Sequence, residues 1–247
     1  MFKNMSKVTC THWFEFFVRL ILLIGLLISY LMNVHIFGVS LFGLLLVVFF
    51  GLYIYEFVVR LFPRQLGSNT SMGAKKYKFG PISFGDGSLD AIVDIRNRKY
   101  SRGRLFSVLF YLCVTGIACI LLNYYYYILS YKTLLILSSF YGVFDLICVL
   151  FYCPFQRVFI RNKCCNTCPI YNWDCMMIAF PLIPVVFMNV GLVRWISLIM
   201  ILVALVVLIL WELAYKRTPE KFSEETNMYL KCENCKEYSC KNKLRKL

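Results

Sequence analysis

The sequence predicts an all-α integral membrane protein with about six transmembrane helices. Of its 247 residues, 60% are hydrophobic and only 16% are charged, whereas a soluble domain has roughly 45–50% and about 25%. Apolar runs recur along the chain, and about 20 apolar residues are enough to cross the hydrocarbon core of a bilayer as a helix. The basic residues collect on one side of these runs. This composition excludes disordered, collagen-like and small secreted proteins.

The apolar runs divide the chain into four regions. Residues 1–62 form a first transmembrane hairpin, and residues 63–104 form a basic cytosolic or interfacial loop. Residues 105–215 form a four-helix bundle that contains a cysteine-rich loop at 156–175, and residues 216–247 form a cysteine-rich tail. The six runs themselves cover residues 13–32, 39–62, 105–128, 134–155, 176–190 and 196–215.

The fifth run differs from the others because it is short and contains two prolines. Pro181 and Pro184 interrupt helical hydrogen bonding unless neighbouring helices supply other partners. The sequence therefore predicts either a crossing helix or a kinked, partly re-entrant segment at this position.

The basic residues predict the orientation. All Lys and Arg except Lys132 and Arg194 fall on one side of the six-span arrangement, and basic residues are enriched in cytosolic loops. We therefore expect a protein of the cell (inner or plasma) membrane with both termini in the cytosol. The net charge of +14 then indicates contact with anionic lipid headgroups, and no nucleic-acid partner is expected. The sequence is compatible with a homo-oligomer as well as with a monomer.

The 12 cysteines fall into two groups. Five lie in or beside the spans, where a free cysteine packs as a small apolar residue: Cys10, Cys113, Cys119, Cys148 and Cys153. The other seven lie in the cytosolic loop and tail, where thiols stay reduced and paired C-x2-C motifs favour a metal over disulfides: Cys164, Cys165, Cys168, Cys175, Cys232, Cys235 and Cys240.

Two C-x2-C turns predict a tetrahedral metal site with the ligands Cys165, Cys168, Cys232 and Cys235. The two turns are separated by 63 residues, far more than the roughly 15–20 of a zinc ribbon. The intervening residues are the last two spans, whose ends emerge on the same face, so a structural zinc ion would hold the tail against the loop.

Extra cysteines leave other interpretations of this site open. Cys164, Cys175 and Cys240 are surplus or substitute ligands, and they keep an iron–sulfur cluster as the alternative to zinc. Free thiols on a mobile tail and a reversible redox pair are the remaining alternatives.

The C-terminal 40% of the chain, roughly, resembles a group of uncharacterised bacterial multi-span membrane proteins. These share a C-C-x2-C…N-W-D loop and a C-terminal C-x2-C-x4-C tail, and the resemblance implies no activity. Cys164 and Cys168-Pro169 are also similar to the C-x3-C-P motif of membrane-bound electron-transfer proteins, although the ferredoxin-type cysteine runs of those proteins are missing. The matching residues are 161–168, 171–174, Trp211-Glu212, 219–222, Cys232, Cys235 and Cys240.

Three aspartates in the long loop recur every four residues. On a helix, Asp86, Asp90 and Asp94 would share one face and could bind a divalent cation with a phosphate-bearing substrate. The pattern faintly resembles that of the CDP-alcohol phosphotransferases, but Asp86 stands where their motif has Gly and their A-R element is absent. The alternative is an interfacial amphipathic helix that begins near Ser88.

Asp145 lies near the middle of the fourth predicted span, where an ionisable side chain must face protein or water. We consider it a candidate proton or cation site. Glu15, Glu56 and Glu212 lie near the cytosolic ends of their spans, and they either pair with snorkelling basic residues such as Arg19 and Arg60 or converge with Asp145 in an acidic cavity. Polar residues on the third and fourth spans predict either a pathway or contacts between helices; they are Ser107, Tyr111, Thr115, Cys119, Asn123, Ser138, Tyr141, Cys148 and Tyr152.

These features predict a small transporter, channel-like or membrane-scaffold protein with a metal site on its cytosolic face. Electron transfer through the cysteine cluster is the enzymatic alternative, and a lipid-phosphate transferase that uses Asp86, Asp90 and Asp94 is the third. The sequence does not decide whether the protein is an enzyme.

Overall fold

The computed structural model describes residues 7–32, 35–36, 39–62, 88–126, 130–161, 168, 170, 173–222 and 226–231, and for 7–9, 35, 36, 39, 88–101 and 122–126 it describes only the backbone. Seven α-helices occur in this part of the chain. They are α1 (Lys7–Met32), α2 (Leu41–Leu61), α3 (Ser88–Tyr126), α4 (Tyr131–Leu150), α5 (Trp173–Ala179), α6 (Ile183–Phe187) and α7 (Leu192–Arg217).

Short elements connect and extend these helices. An antiparallel pair of two-residue strands, β1 (His35–Ile36) and β2 (Val39–Ser40), joins α1 to α2. A π-helical segment at Phe155–Ile160 follows α4, and a 3₁₀ turn at Phe180–Leu182 lies between α5 and α6. Two more 3₁₀ turns, Pro219–Phe222 and Met228–Leu230, follow α7.

Five segments of the described chain are long and apolar enough to cross a membrane: Cys10–Met32, Leu41–Leu61, Arg102–Leu121, Tyr131–Leu150 and Leu192–Arg217. Their outer faces carry large exposed apolar side chains, such as Val47, Ile120 and Leu202. So much exposed apolar surface indicates a lipid environment, because soluble proteins rarely expose large apolar patches. The protein is therefore a multi-pass helical membrane protein.

The fifth predicted span is a broken helix. Residues 173–187 form α5, the 3₁₀ turn and α6, with Pro181 within the turn and Pro184 within α6. Pro181 has no N–H to donate to the carbonyl oxygen of Met177. The hydroxyl of Tyr111 donates to that oxygen over 2.6 Å, and Ser138 Oγ donates to the carbonyl oxygen of Ile178 over 2.6 Å. Neighbouring helices thus satisfy the backbone groups at the break, as burial in a membrane requires.

The fourth predicted span is shorter than expected from the apolar run. The helix α4 ends at Leu150, not near residue 155, because the residue before a proline disfavours helical geometry and Pro154 follows closely.

The amphipathic helix expected near Ser88 and the third span are one continuous helix, α3, of 39 residues.

One core joins α1, α2, α4, α7 and the broken helix. Buried residues of α1 recur at three- and four-residue intervals, which places them on one face against α4 and α2. The helix α3 instead packs on the π-helical segment. Gly103 permits that contact, because a Cβ at this position would overlap the carbonyl oxygen of Phe159.

Candidate functional site

A cavity of about 130 Å³ lies near the end of the bundle at which α2 and α4 end. This volume has room for several water molecules. Its walls come from α1, α2, α3, α4 and the start of α5, and they carry both charged groups and thiols. The titratable and cationic side chains in the walls are His12, Glu15, Arg19, Glu56, Arg60, Tyr111, Tyr141, Asp145, Cys148, Cys153, Cys168 and Asp174.

Glu56 lies between two guanidinium groups. Arg19 Nη2 donates to Glu56 Oε2 over 2.6 Å, and Arg60 Nη2 donates to Glu56 Oε1 over 2.7 Å. Arg60 is the residue four positions after Glu56, which is the spacing that brings two side chains together on a helix. Arg19 comes from a different helix, so the carboxylate joins α1 to α2.

Arg19 is buried, with 3% of its surface exposed. The interpretation of this residue as a snorkelling arginine is therefore wrong. Its Nη1 donates to the carbonyl oxygen of Gly142 over 3.1 Å, and its guanidinium lies 5.2 Å from the centre of the Tyr53 ring. Gly142 leaves space for Tyr53, since a Cβ there would overlap the tyrosine hydroxyl. A buried arginine must have its charge paired, and here the partner is Glu56 of another helix.

Asp174 is held by Arg60 and by the backbone N–H of the residue that follows it. Both carboxylate oxygens accept hydrogen bonds from Arg60 Nη1, and the backbone N–H of Cys175 donates to Oδ1 over 2.8 Å. Arg60 therefore joins Glu56 on its own helix to Asp174 at the start of α5.

Asp145 faces the same cavity, five residues before the end of α4, or about 7.5 Å along the helix axis. Its electrostatic neighbours are Asp174, Arg60, Arg19 and Glu56. Within the described part of the chain, no hydrogen bond to its carboxylate is found. The cluster thus contains three carboxylates and two guanidinium groups, and Asp145 is the carboxylate that lacks a direct partner.

The expected convergence of acidic residues occurs in part. Glu15 and Glu56 line the cavity together with Asp145, and Glu15 Oε2 lies 3.5 Å from His12 Nδ1. Glu212 lies elsewhere, where it accepts hydrogen bonds from Arg104 Nη2 (2.9 Å) and Trp173 Nε1 (3.0 Å).

Three of the polar residues predicted for the third and fourth spans connect α3 to α4: Tyr111, Thr115 and Tyr141. Thr115 Oγ1 and the Tyr141 hydroxyl are 2.7 Å apart, and the rings of Tyr111 and Tyr141 pack edge to face with centres 5.0 Å apart. Ser107 Oγ bonds within its own helix, to the carbonyl oxygen of Gly103 at 2.8 Å. Tyr111, Thr115, Ser138 and Tyr141 therefore hold neighbouring segments together, while Tyr111 and Tyr141 also line the cavity.

Three thiols also line the cavity: Cys148, Cys153 and Cys168. The backbone N–H of Gln156 donates to Cys153 Sγ over 3.4 Å. The pKa of the Cys153 thiol is lowered to about 7, because the hydrogen bond from Cys148, together with the backbone N–H groups at Gln156 and Phe155, outweighs the opposing effect of burial. Cys153, which the sequence indicated only as a packing residue, is thus part of the site, together with Cys148, which was also expected on the polar face of the fourth span.

The expected metal ligands lie mostly outside the described residues, as Cys164, Cys165, Cys232, Cys235 and Cys240 all do. Cys168 is buried against Tyr111, Phe155, Ile160 and Ile170, and Cys175 is fully buried in the main core. Among residues whose positions are described, no group of three or more His, Cys, Asp or Glu is arranged to hold a metal ion.

The three aspartates of the long loop are only partly described. Asp86 lies outside the described residues, and Asp90 and Asp94 lie in the first two turns of α3, where the backbone alone is described. Their helical spacing places positions 90 and 94 on one face.

Two features of the site could not be found from sequence reasoning about single spans. Asp174 lies outside the predicted spans and carries no motif that links it to Asp145. Arg19 was expected to pair with a glutamate, but the sequence did not indicate that Arg19 is buried or that Glu56 on another helix is its partner.

Comparison of the chain with protein-family models, with curated proteins and with solved structures finds no match.

Proposed function

We propose that this membrane protein is a small transporter or channel-like protein that binds a proton or a monovalent cation at Asp145. The observation that carries the proposal is the charge balance of the inner cluster, in which three carboxylates (Glu56, Asp145 and Asp174) face the guanidinium groups of Arg19 and Arg60. The fourth carboxylate of the cavity wall, Glu15, lies beside His12 instead. A proton or a monovalent cation at Asp145 makes this cluster neutral. Neutrality matters because an unbalanced charge within a bilayer costs several kcal/mol.

The partners of the other acidic groups support the choice of Asp145. Glu56 is bonded by Arg19 and Arg60, and Asp174 is bonded by Arg60 and the N–H of Cys175. Both carboxylates therefore already have cationic partners within the protein. Asp145 is the group left to exchange a proton or an ion with the cavity.

Flux measurements in proteoliposomes test this function. The purified protein is reconstituted into vesicles with an entrapped dye that is sensitive to H⁺, Na⁺ or K⁺, and a gradient of the matching ion is imposed in each case. We expect flux of at least one ion in the wild type, its loss in Asp145→Asn, and its retention in Glu212→Gln, which removes a paired carboxylate outside the cavity. Equal flux in wild type and Asp145→Asn would disprove the role of Asp145, and absence of all three fluxes would favour the membrane-scaffold alternative.

We also propose that the broken helix is a sixth crossing. Trp173, at the start of the broken helix, donates a hydrogen bond to Glu212. The other end of the broken helix leads into α7 at Leu192. Residues 192–212 of α7 measure about 30 Å along the axis, the thickness of a hydrocarbon core. The broken helix joins the two ends of this stretch. With six crossings both termini lie on the same side, and the distribution of basic residues supports the cytosol for that side.

The metal site remains a second proposal, in which Cys165, Cys168, Cys232 and Cys235 hold a structural zinc ion. The hydrogen bond between Trp173 and Glu212 supports it, because this bond brings the exit of the cysteine-rich loop next to the end of α7, from which the tail emerges. These thiolates suit a tetrahedral zinc ion, which would tie the tail to the loop.

Elemental analysis and an absorption spectrum of the same preparation test the metal site. We expect one zinc per chain, reduced by Cys165→Ser and by Cys232→Ser but unchanged by Cys113→Ser. Iron with visible absorption would favour an iron–sulfur cluster, and neither metal at stoichiometric level would reject the site.

A further inference from the structure

The end of α4 brings two cysteines together at the wall of the cavity. Cys148 lies in the last turn of the helix, which ends at Leu150. The chain then turns back, with the N–H groups of both Phe151 and Tyr152 bonded to the carbonyl oxygen of Ile147 at 2.9 and 3.2 Å. This turn places Cys153 within hydrogen-bond range of Cys148, and both side chains line the cavity.

We propose that Cys148 and Cys153 are a dithiol site that is oxidised reversibly to a disulfide by small, uncharged or cationic disulfide compounds. It is distinct from the cysteine clusters of the loop and tail, and it does not depend on the ion-binding role of Asp145.

Cys153 is the attacking thiolate. Its sulfur accepts hydrogen bonds from the Cys148 thiol and, over 3.4 Å, from the backbone N–H of Gln156. These bonds stabilise the ionised form, which is the nucleophile in thiol–disulfide exchange. Cys148, as the neighbour that donates a hydrogen bond, is positioned as the resolving thiol.

The reaction is a balanced exchange with a disulfide RSSR. The Cys153 thiolate attacks one sulfur of RSSR, so that a Cys153–SR bond forms, the RS–SR bond breaks and one RS⁻ leaves. Cys148 loses its proton to RS⁻ and attacks the Cys153 sulfur, which forms the Cys148–Cys153 bond and releases the second RS⁻, protonated by solvent. Two thiols are oxidised and one RSSR is reduced to two RSH.

The cavity restricts which disulfide compounds can react. Charged side chains line the same cavity as the two thiols. The nearby carboxylates of Glu15, Glu56, Asp145 and Asp174 outnumber the guanidinium groups, so an anionic disulfide is repelled. A neutral reagent such as bis(2-hydroxyethyl) disulfide should react faster than the anionic dithiodiglycolate, which is similar in size.

Peptide mapping of the full-length protein in detergent tests the proposal. After treatment with either reagent, the protein is quenched with acid, alkylated and digested with trypsin. The peptide of residues 133–157 contains Cys148 and Cys153 and no other cysteine. With bis(2-hydroxyethyl) disulfide we expect this peptide to lose two hydrogens and to resist alkylation, and dithiothreitol should reverse the change.

Single variants distinguish the roles of the two cysteines. Cys148→Ser should accumulate a mixed disulfide on Cys153, and Cys153→Ser should react about tenfold more slowly at Cys148, because that thiol is less ionised. Modification of the exposed Cys10 confirms that the reagent is active. The proposal is overturned if the peptide stays reduced while Cys10 reacts, or if both cysteines form separate mixed disulfides without joining. Either result leaves the flux experiment on Asp145 unaffected.

Discussion

Arg19 Nη2 lies 2.6 Å from Glu56 Oε2, in an ion pair that joins α1 to α2 within the apolar bundle. The same guanidinium reaches the carbonyl oxygen of Gly142 on α4, so one buried side chain connects three helices. Arg60 extends the network from Glu56 to Asp174 on α5. The side chains that make these contacts line the cavity, and Asp145 lines it as well.

Glu56→Gln should lower the free energy of unfolding by about 3–5 kcal/mol, because it leaves the buried Arg19 without its carboxylate. Glu15→Gln is the control, since the side chain of Glu15 is 43% exposed and an exposed pair contributes at most about 1 kcal/mol. Thermal unfolding in detergent compares the two variants. The double variant Arg19→Gln/Glu56→Gln should recover part of the loss, and additive single effects would argue against direct coupling.

Gly142→Ala should destabilise the protein by about 1–3 kcal/mol or more, because the added methyl group overlaps the Tyr53 hydroxyl and forces α2 and α4 apart. Gly116→Ala is matched to it, since no atom lies within 4 Å of a Cβ at that position. Melting temperatures of the two variants give the comparison. Equal melting temperatures would contradict the close approach of Tyr53 to α4.

Tyr111→Phe should lower stability by about 1–3 kcal/mol, because it removes the donor to the Met177 carbonyl oxygen that Pro181 leaves without a backbone partner. Tyr152→Phe changes the same hydroxyl on a residue that is 53% exposed and should be nearly neutral. The unfolding free energies of the two variants test the account of the broken helix. A Tyr111→Phe variant as stable as Tyr152→Phe would contradict this account of the broken helix.

Alkylation of Cys153 should depend on pH with a midpoint of about 7, where its thiol ionises. The thiolate is the reactive form, so the rate should rise as the pH is raised through the midpoint. Cys148→Ala removes the main hydrogen-bond donor and should move the midpoint upward. The rate is followed on the peptide of residues 133–157, and a midpoint that does not move in Cys148→Ala would refute the contribution of Cys148.

Much of the fold was predictable because membrane helices carry a strong local signal. The apolar runs of α1, α2, α4 and α7 exceed the length that a bilayer demands, and this constraint acts on each segment separately. The end of α4 at Leu150 and the break at Pro181 follow from proline chemistry. The break was harder to locate because it depends on Tyr111 and Ser138, which are distant in sequence and bond the carbonyl oxygens of Met177 and Ile178.

The site was less predictable because its residues come together only through helix packing. Asp145 and Glu56 were recognisable as charged residues in apolar runs, and the spacing of Glu56 and Arg60 predicted their pairing. Nothing local in the sequence relates Arg19 to Glu56, or Asp174 to Arg60, because each pair joins separate helices. Cys148 and Cys153 come together at a turn after α4. The apolar run continues through this turn, so the sequence did not indicate it. The metal ligands and the similarity of the C-terminal part to bacterial multi-span proteins remain predictions.

The protonation of Asp145 is the quantity that tests the central claim most directly. Infrared difference spectra of the purified protein are recorded as the pH is raised in Na⁺-free and K⁺-free buffer, and again after Na⁺ or K⁺ is added at fixed pH. We predict a protonated-carboxyl band that is present in the wild type, absent in Asp145→Asn, and lost on raising the pH or on adding the bound cation. Identical spectra for wild type and Asp145→Asn under all of these conditions would contradict a proton or cation site at Asp145.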